Sequence, residues 1–256
     1  MPQRTASDTT LARVTRLLDL FEGRRTPLSS QQIADALDAP RSSVGTLLKA
    51  LAELGWLSLD RRSATYFPTA RFGRWGGWLS DARWLDPRLV DAVHALQHAT
   101  SETVSLSAPG DLTAEVIYVA GQSGGIRLAI EVGQRLPLAH SAIGWAHCST
   151  LPDTTIRSLA VRSAAADGSR RGSAAAIKDL LEHARQARQL GYAYAAGEVL
   201  ADVAAFAAPV PAGLAAQPLV LSVGGPRDRV WRQRSKLPKA LLAAAAGLAA
   251  RDSIST

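Results

Sequence analysis

Residues 28–68 read LSSQQIADALDAPRSSVGTLLKALAELGWLSLDRRSATYFP, and their caps, turns and apolar spacings decide the fold of the N-terminal region. Ser29 followed by Gln32 is a capping box, in which each side chain satisfies a backbone group left unpaired at a helix start. Ile33, Ala34 and Leu37 follow at helical spacing, and Asp38 with Ala39 supplies a turn. Pro40 suits the first helical position of the next element, because it has no amide hydrogen and its φ is already near the helical value. Val44, Leu47, Leu48, Leu51 and Leu54 give that second helix an inward face, while Ser42, Gly45, Thr46 and Lys49 share the outer one. A slim, polar, weakly basic face suits a helix lying in the major groove of double-stranded DNA. Gly55 ends the helix, and residues 56–59 and 65–67 alternate like two short strands around Asp60, Arg61, Arg62 and Ser63. Positive charge at such a hairpin tip meets backbone phosphates or a minor groove. The segment predicts a winged helix-turn-helix with Arg41, Ser42, Ser43, Gly45, Thr46, Lys49, Arg61 and Arg62 as its DNA-contacting set.

The chain has 256 residues, longer than the commonest single domain, so two domains are expected. Its net charge is +7, and the first 83 residues hold twelve Lys or Arg against eight Asp or Glu, a concentration that favours a polyanionic partner. The single cysteine, Cys148, excludes an internal disulfide; with no basic leader and apolar run ahead of the first domain, a reducing cytoplasm is expected. No apolar run is long enough to cross a bilayer, and the alanine-rich stretch 241–250 reads as a packed or dimer-facing helix. Apolar residues make up 47% of the chain, ample for two cores.

Ahead of the capping box, Leu11, Val14, Leu18 and Phe21 predict a support helix stopped by Gly23. After the hairpin, residues 71–84 carry Trp75, Trp78 and Trp84 among glycines and read as a connecting helix, whose indoles suit either local packing or a second copy of the chain. Pro87 opens another helix, and strands are expected at 103–107, 115–119, 126–130, 192–195, 203–209 and 219–223, with turns at 110–111 and 123–125. Helices are expected at 154–159 and at 174–190, the latter capped by Ser173 and stopped by Gly191, with a loop over 162–172 between them. Strands and helices so interleaved, with antiparallel turn chemistry, predict an α+β second domain.

Chemistry at the second domain's polar residues is weakly signalled. His140, Ser141, His147 and Cys148 are close in sequence, but adjacent helical residues point about 100° apart and no partner or oxyanion hole is marked, so no catalytic set is assigned. His94 and His98 share a helix face without a third ligand, so no metal site is assigned, and Gly121, Gly124 and Gly125 lack the lysine of a phosphate loop. No cofactor is expected. A protein-interaction module without specific DNA binding is the main alternative to a DNA-binding regulator, and an enzyme is the remote one.

Four further stretches carry a resemblance. LPLAHSAIGWA at 136–146, LGYAYAAGE at 190–198, FAAPV at 206–210 and LSVGGP at 221–226 match, in order and spacing, conserved segments of the isocitrate lyase regulator (IclR) family of bacterial transcription factors, which the N-terminal region also resembles. The resemblance implies three parts: a winged helix-turn-helix over 1–69, a linker helix over 70–86 and a GAF-like α/β effector-binding domain over 87–256. It also implies a homodimer or dimer of dimers on a promoter palindrome, acting as a repressor or activator under a small-molecule effector.

Mapped onto this chain, the implied effector set is Leu138, Ser141, Ala142, Ile143, Ala195, Ala205, Ser222 and Gly224, with Glu198 matching a recurrent glutamate of structural role. Some relatives that bind small carboxylates place acidic, thiol or hydroxyl side chains where this chain has Ala195, Ala205 and Gly224. An alanine-lined cavity is expected to be wider and less polar, suiting a partly apolar ligand such as an aromatic acid held by Ser141, Ser222 and backbone amides. Family members also often carry long basic or aromatic side chains where this chain has Gly45 and Thr46, so base contacts are expected to be sparse and groove shape to matter more.

Overall fold

The computed structural model describes residues 9–80, 85–121, 130–166 and 173–250. The chain divides into two compact units, Met1–Asp81 and Ala82–Thr256.

In the first unit, α1 (Thr10–Arg24) starts at Thr9, whose side chain accepts from the Ala12 amide. It runs through Gly23 and stops where Arg25 turns left-handed and donates its N–H to Phe21 O, just ahead of helix-incompatible Pro27. Leu17 and Phe21 are its buried stripe; Leu11, expected inside, is exposed, because the face that meets α2 is rotated away from it. β1 (Leu28–Ser29) leads into α2 (Ser30–Leu37) through a complete capping box, with Gln32 N to Ser29 Oγ at 3.3 Å and Ser29 N to Gln32 Oε1 at 2.9 Å. Asp38 closes α2 at φ 49°.

α3 (Arg41–Glu53) begins one residue later than expected: Pro40 is its N-cap, with ψ at 131°. Val44 and Leu48 are buried beneath it and Leu47 and Leu51 pack at the edge, whereas Leu54 lies past the helix end and is exposed. Gly55, at φ 75°, makes the reversal into β2 (Leu57–Asp60) and β3 (Thr65–Pro68), which pair antiparallel with β1 on the far side of β3. α4 (Arg71–Ser80) follows; Arg71 Nη1 donates to Leu54 O at 2.6 Å and its guanidinium covers the Trp56 ring, so one side chain closes the end of α3. The packing expected of Trp75, Trp78 and Trp84 lies outside the described residues.

The second unit is built on an antiparallel sheet. It comprises β4 (Thr103–Pro109), β5 (Thr113–Ala120), β6 (Arg135–Pro137), β7 (Ala193–Ala196), β8 (Val203–Pro209) and β9 (Val220–Pro226), in the order β6-β5-β4-β9-β8-β7. Strand alternation sends Val104, Leu106, Phe206, Leu221 and Val223 to the face covered by α5 (Pro87–Thr100) and α10 (Leu237–Ala250). Each such fully buried apolar side chain stabilises the fold by about 1.5–3 kcal/mol. The other face meets α6 (Ala142–Cys148), α7 (Asp153–Ala166) and α8 (Ser173–Leu190) through Trp145, Ile156, Leu159 and Leu180.

Several expectations change here. α7 runs to Ala166 and takes up the start of the expected loop, because Ile156, Leu159, Ala160 and Ser163 keep one face buried. Ser173 is the first helical residue of α8 and not the residue before it. β6 and α9 (Arg227–Arg232) had no sequence expectation, being short and poor in apolar periodicity. The strand expected at 126–130 and the turn at 123–125 fall on residues 122–129, outside the described residues, and Ile130 itself is not in a strand.

α9 is held by a buried ion pair. Glu102, 1% exposed, receives Arg229 Nε at 2.6 Å and Nη2 at 2.7 Å, with Gln233 Nε2 at 2.9 Å. This hydrogen bonding raises the Arg229 pKa. Gly225 is required beside it, since a Cβ there would overlap Glu102 Oε2.

Candidate functional site

Burial of Val44 and Leu48 fixes the roll of α3 and leaves Arg41, Ser42, Thr46 and Lys49 exposed on its outer side. Thr46 Oγ1 donates to Ser42 O at 3.1 Å, and Lys49 reaches Glu53 at 3.9 Å, a solvated pair that holds it only weakly. Ser43 is half-buried and accepts from Arg13 Nη1 at 2.8 Å, so its hydroxyl ties α3 to α1. Arg16 does the same for α2, donating to Leu37 O at 2.7 Å. Gly45 has no other atom within 4 Å of where a Cβ would stand, so packing within the unit does not require the missing side chain.

At the tip of the β2–β3 hairpin, the Asp60 carboxylate accepts from the Arg62 amide at 2.9 Å and Ser63 Oγ at 2.8 Å, and Ala64 takes φ 51°. The hydroxyl bond from Ser63, with the Arg62 amide behind it, lowers the Asp60 pKa. The turn so fixed leaves Arg61 and Arg62 exposed.

In the second unit a cavity with a free volume of about 70 Å³ opens between the sheet and the start of α6. Its cause is side-chain size. Ala195 pairs with Ala205, Ala205 with Gly224 and Gly224 with Thr103, so one row across four strands carries small residues; Ser222 pairs with Ser105 in the next row. This row lies on the α6 side of the sheet, and Ala142 and Ile143 of α6 line the same cavity. Ser141, Ala142, Ile143, Ala195, Ala205, Ser222 and Gly224 all line the cavity, seven of the eight residues expected.

Leu138 is the exception. It is fully buried in the core below α6, where its backbone packs so tightly on Gly144 that a Cβ there would overlap the Leu138 carbonyl. It supports the helix and does not line the cavity. The space is also narrower than its alanines imply, because Ile130, Leu136, Val199 and Leu200 crowd the space the small residues leave. Cavities that admit benzene run to roughly 150 Å³.

The polar atoms are few. Ser141 Oγ donates to Pro137 O at 2.7 Å and accepts from Gly144 N at 3.1 Å, so its proton is already used and only a lone pair remains. Ser105, absent from the expected set, is 2% exposed and lies 2.8 Å from Ser222 Oγ. Two hydroxyls joined by one hydrogen bond keep one proton for a third group. Thr103 and Gln134 add polar lining, and among the described residues no Lys or Arg lines the cavity. Glu198 is exposed at the rim.

The other polar residues have plain structural roles. Cys148 is fully buried and its thiol pKa is pushed up to about 12 by desolvation, so it is no thiolate nucleophile. Burial also lowers the pKa of His147 beside it. His94 Nε2 lies 2.8 Å from Tyr118 OH, and among the described residues no three His, Cys, Asp or Glu could hold a metal ion. Among them, too, no helix is long and apolar enough to cross a membrane.

A winged helix in one unit and a cavity-bearing α/β sheet in the other define a winged-helix DNA-binding protein with an appended small-molecule-binding module. The chain belongs to the IclR family: residues 89–250 match the bacterial transcriptional regulator IclR C-terminal domain and residues 10–61 the IclR helix-turn-helix domain. Its members are DNA-binding transcriptional regulators with an effector-binding C-terminal domain, and not enzymes. Solved structures of similar fold include an IclR family regulator from Brucella abortus, 24% identical over 97% of this chain and 93% of that one, with a TM-score of 0.63. The IclR protein of Thermotoga maritima is 16% identical, with 93% and 98% covered and a TM-score of 0.67. An IclR homologue from Microbacterium hydrocarbonoxydans, solved in complex with 4-hydroxybenzoate, is 19% identical, with 94% and 100% covered and a TM-score of 0.65. No curated protein matches the chain.

Proposed function

We propose that this regulator binds a promoter palindrome as a homodimer or dimer of dimers in the cytoplasm, and that a small, partly apolar organic acid controls its grip. On DNA, Ser42, Thr46 and Lys49 face the major groove, Arg41 takes a phosphate, and Gly45 lets the helix approach closely. Ser43 acts through Arg13, and Arg61 and Arg62 meet the backbone beside the groove. The parts follow the boundaries 1–69 for the reader, 70–86 for the linker and 87–256 for the effector domain.

The observation that carries the effector reading is the row of small residues facing α6, with the Ser105–Ser222 pair at its edge. An aromatic ring suits the apolar row, and a polar substituent suits the free hydroxyl proton. The Microbacterium relative's complex with 4-hydroxybenzoate supports a ligand of this size and polarity. Because the free volume is below what benzene needs, Val199 and Leu200 at the rim move outward when such a ligand enters.

A mobility-shift titration of the chain on its own upstream DNA tests this, with 4-hydroxybenzoate and a panel of aromatic acids added. At least one acid shifts the wild-type midpoint. Ala205→Trp fills the cavity and abolishes that shift while the variant still binds DNA without ligand, and equal loss of both would point to misfolding. A response that survives Ala205→Trp would place the effector elsewhere.

A further inference from the structure

We propose that the effector-binding unit carries a docking surface of its own for the DNA phosphate backbone, formed by Arg232, Arg234 and Lys236 around Trp231. The inference rests on the chain being a DNA-binding regulator and goes beyond the winged helix.

Residues 227–239, RDRVWRQRSKLPK, hold six Lys or Arg and a single acid, Asp228. Residues 82–256 as a whole hold eighteen Lys or Arg and fourteen Asp or Glu, so without this stretch they would hold twelve against thirteen. The net positive charge of the second unit is therefore carried by this stretch. Among the described residues only Arg229 of the six is ion-paired, its guanidinium taken up by the buried Glu102. Arg232, Arg234 and Lys236 are exposed, and none of the three is in an ion pair among the described residues.

The patch is ordered before any partner arrives. Val230 is fully buried, and Arg229 and Gln233 both clamp on Glu102, which fixes α9 and the turn after it. Trp231 is 55% exposed, an indole the core has not taken up. The Arg234 guanidinium lies 4.6 Å from its ring centroid and Nη1 donates to Trp231 O at 3.1 Å, which leaves the other N–H groups directed by a stacked, planar fork. Guanidinium groups held in this way match phosphate oxygens and lose little freedom on binding. Duplex DNA presents one phosphate charge per roughly 1.7 Å of axis, a charge density that a cluster of exposed cations meets wherever it lies along the backbone. Asp228 shares the exposed side but is a single charge against three.

The test uses the full chain on its upstream DNA, comparing wild type with R232Q/R234Q/K236Q. Each phosphate neutralised contributes about 0.9 to the slope of log Kobs against log salt, so the variant's slope is shallower by about 2–3 for each protomer bound. Hydroxyl-radical footprints of the variant lose protections outside the winged-helix half-sites, and its thermal midpoint stays close to the wild-type value because only the exposed Arg234–Trp231 contact is lost. R232K/R234K keeps the charge and keeps the slope. An unchanged slope and footprint overturn the docking surface, including the case in which the variant instead loses affinity for an acidic protein. Wild type that binds no DNA at any salt overturns the regulator reading itself and this surface with it.

Discussion

Thr46 and Ser105 are both hydroxyl residues on elements with one apolar face, yet Thr46 is exposed on α3 while Ser105 is 2% exposed on β4. In the first unit the candidate contacts are what remains outside once Val44 and Leu48 have gone in. In the second they lie inside, where small side chains on paired strands fail to fill the space beneath α6. A reading surface of the first kind follows from one helix and can change without disturbing the core. A pocket of the second kind is part of the core, so altering it touches stability as well as binding.

The sharpest contrast comes from stability. Arg229→Ala leaves the Glu102 carboxylate buried with only Gln233 beside it and lowers the unfolding free energy of the second unit by about 3 kcal/mol. Glu102→Gln costs less, because the orphaned Arg229 side chain is 40% exposed and regains water. Urea denaturation followed by tryptophan fluorescence measures both. Equal losses for the two would mean that the pair is not the anchor of α9.

Replacing Arg61 and Arg62 together with glutamine touches no core contact, so the urea midpoint holds. The salt slope of DNA binding becomes shallower by about 1.8 for each protomer bound, at about 0.9 per lost phosphate contact. The same loss of affinity on every sequence is expected, since these side chains meet the backbone. A slope that does not move would remove the hairpin from the DNA interface.

The difference between the units also explains what could be read in advance. The capping box of Ser29 and Gln32 and the roll of α3 depend on residues within a few positions of each other, and they stand as the sequence implies. Most of the cavity was legible only through a family resemblance, because its row of residues is assembled by strand register. Ser105 escaped notice because its partner Ser222 is 117 positions away, although serines on the inward side of an otherwise apolar strand were a signal. Leu138 misled in the opposite way: it neighbours Ser141 in the motif, but the close contact with Gly144 turns it into the core. Leu54 kept the helical period but lies just past the helix end at Glu53, beside the Gly55 reversal, and is exposed.

Acid separates the units as well. His147 and His183 lie in the second unit with pKa values lowered from the usual 6.5, by burial first in both; His183 is stacked on Trp145 at 3.6 Å. The unfolded chain therefore takes up protons before the folded one, and stability is complete above about pH 6.5 and falls as pH drops below it. Urea midpoints at about pH 7.5 and 5.5 should differ, and His183→Gln should shrink the difference. A midpoint independent of pH in that window would mean that these imidazoles protonate freely in the fold.

Gly45 offers the smallest change and the cleanest separation of binding from folding. Glycine inside a helix costs about 0.8–1 kcal/mol against alanine, and nothing in the first unit occupies the position a methyl group would take. Gly45→Ala therefore raises the stability of that unit by up to this amount. If the helix approaches DNA as closely as its slim face allows, the same methyl group weakens operator binding even though the protein is more stable. Stability and affinity moving in opposite directions, read by denaturation and mobility shift on one preparation, mark a residue kept small for its partner. An increase in both would mean that Gly45 stands clear of the groove and that the outer face of α3 does not approach DNA closely.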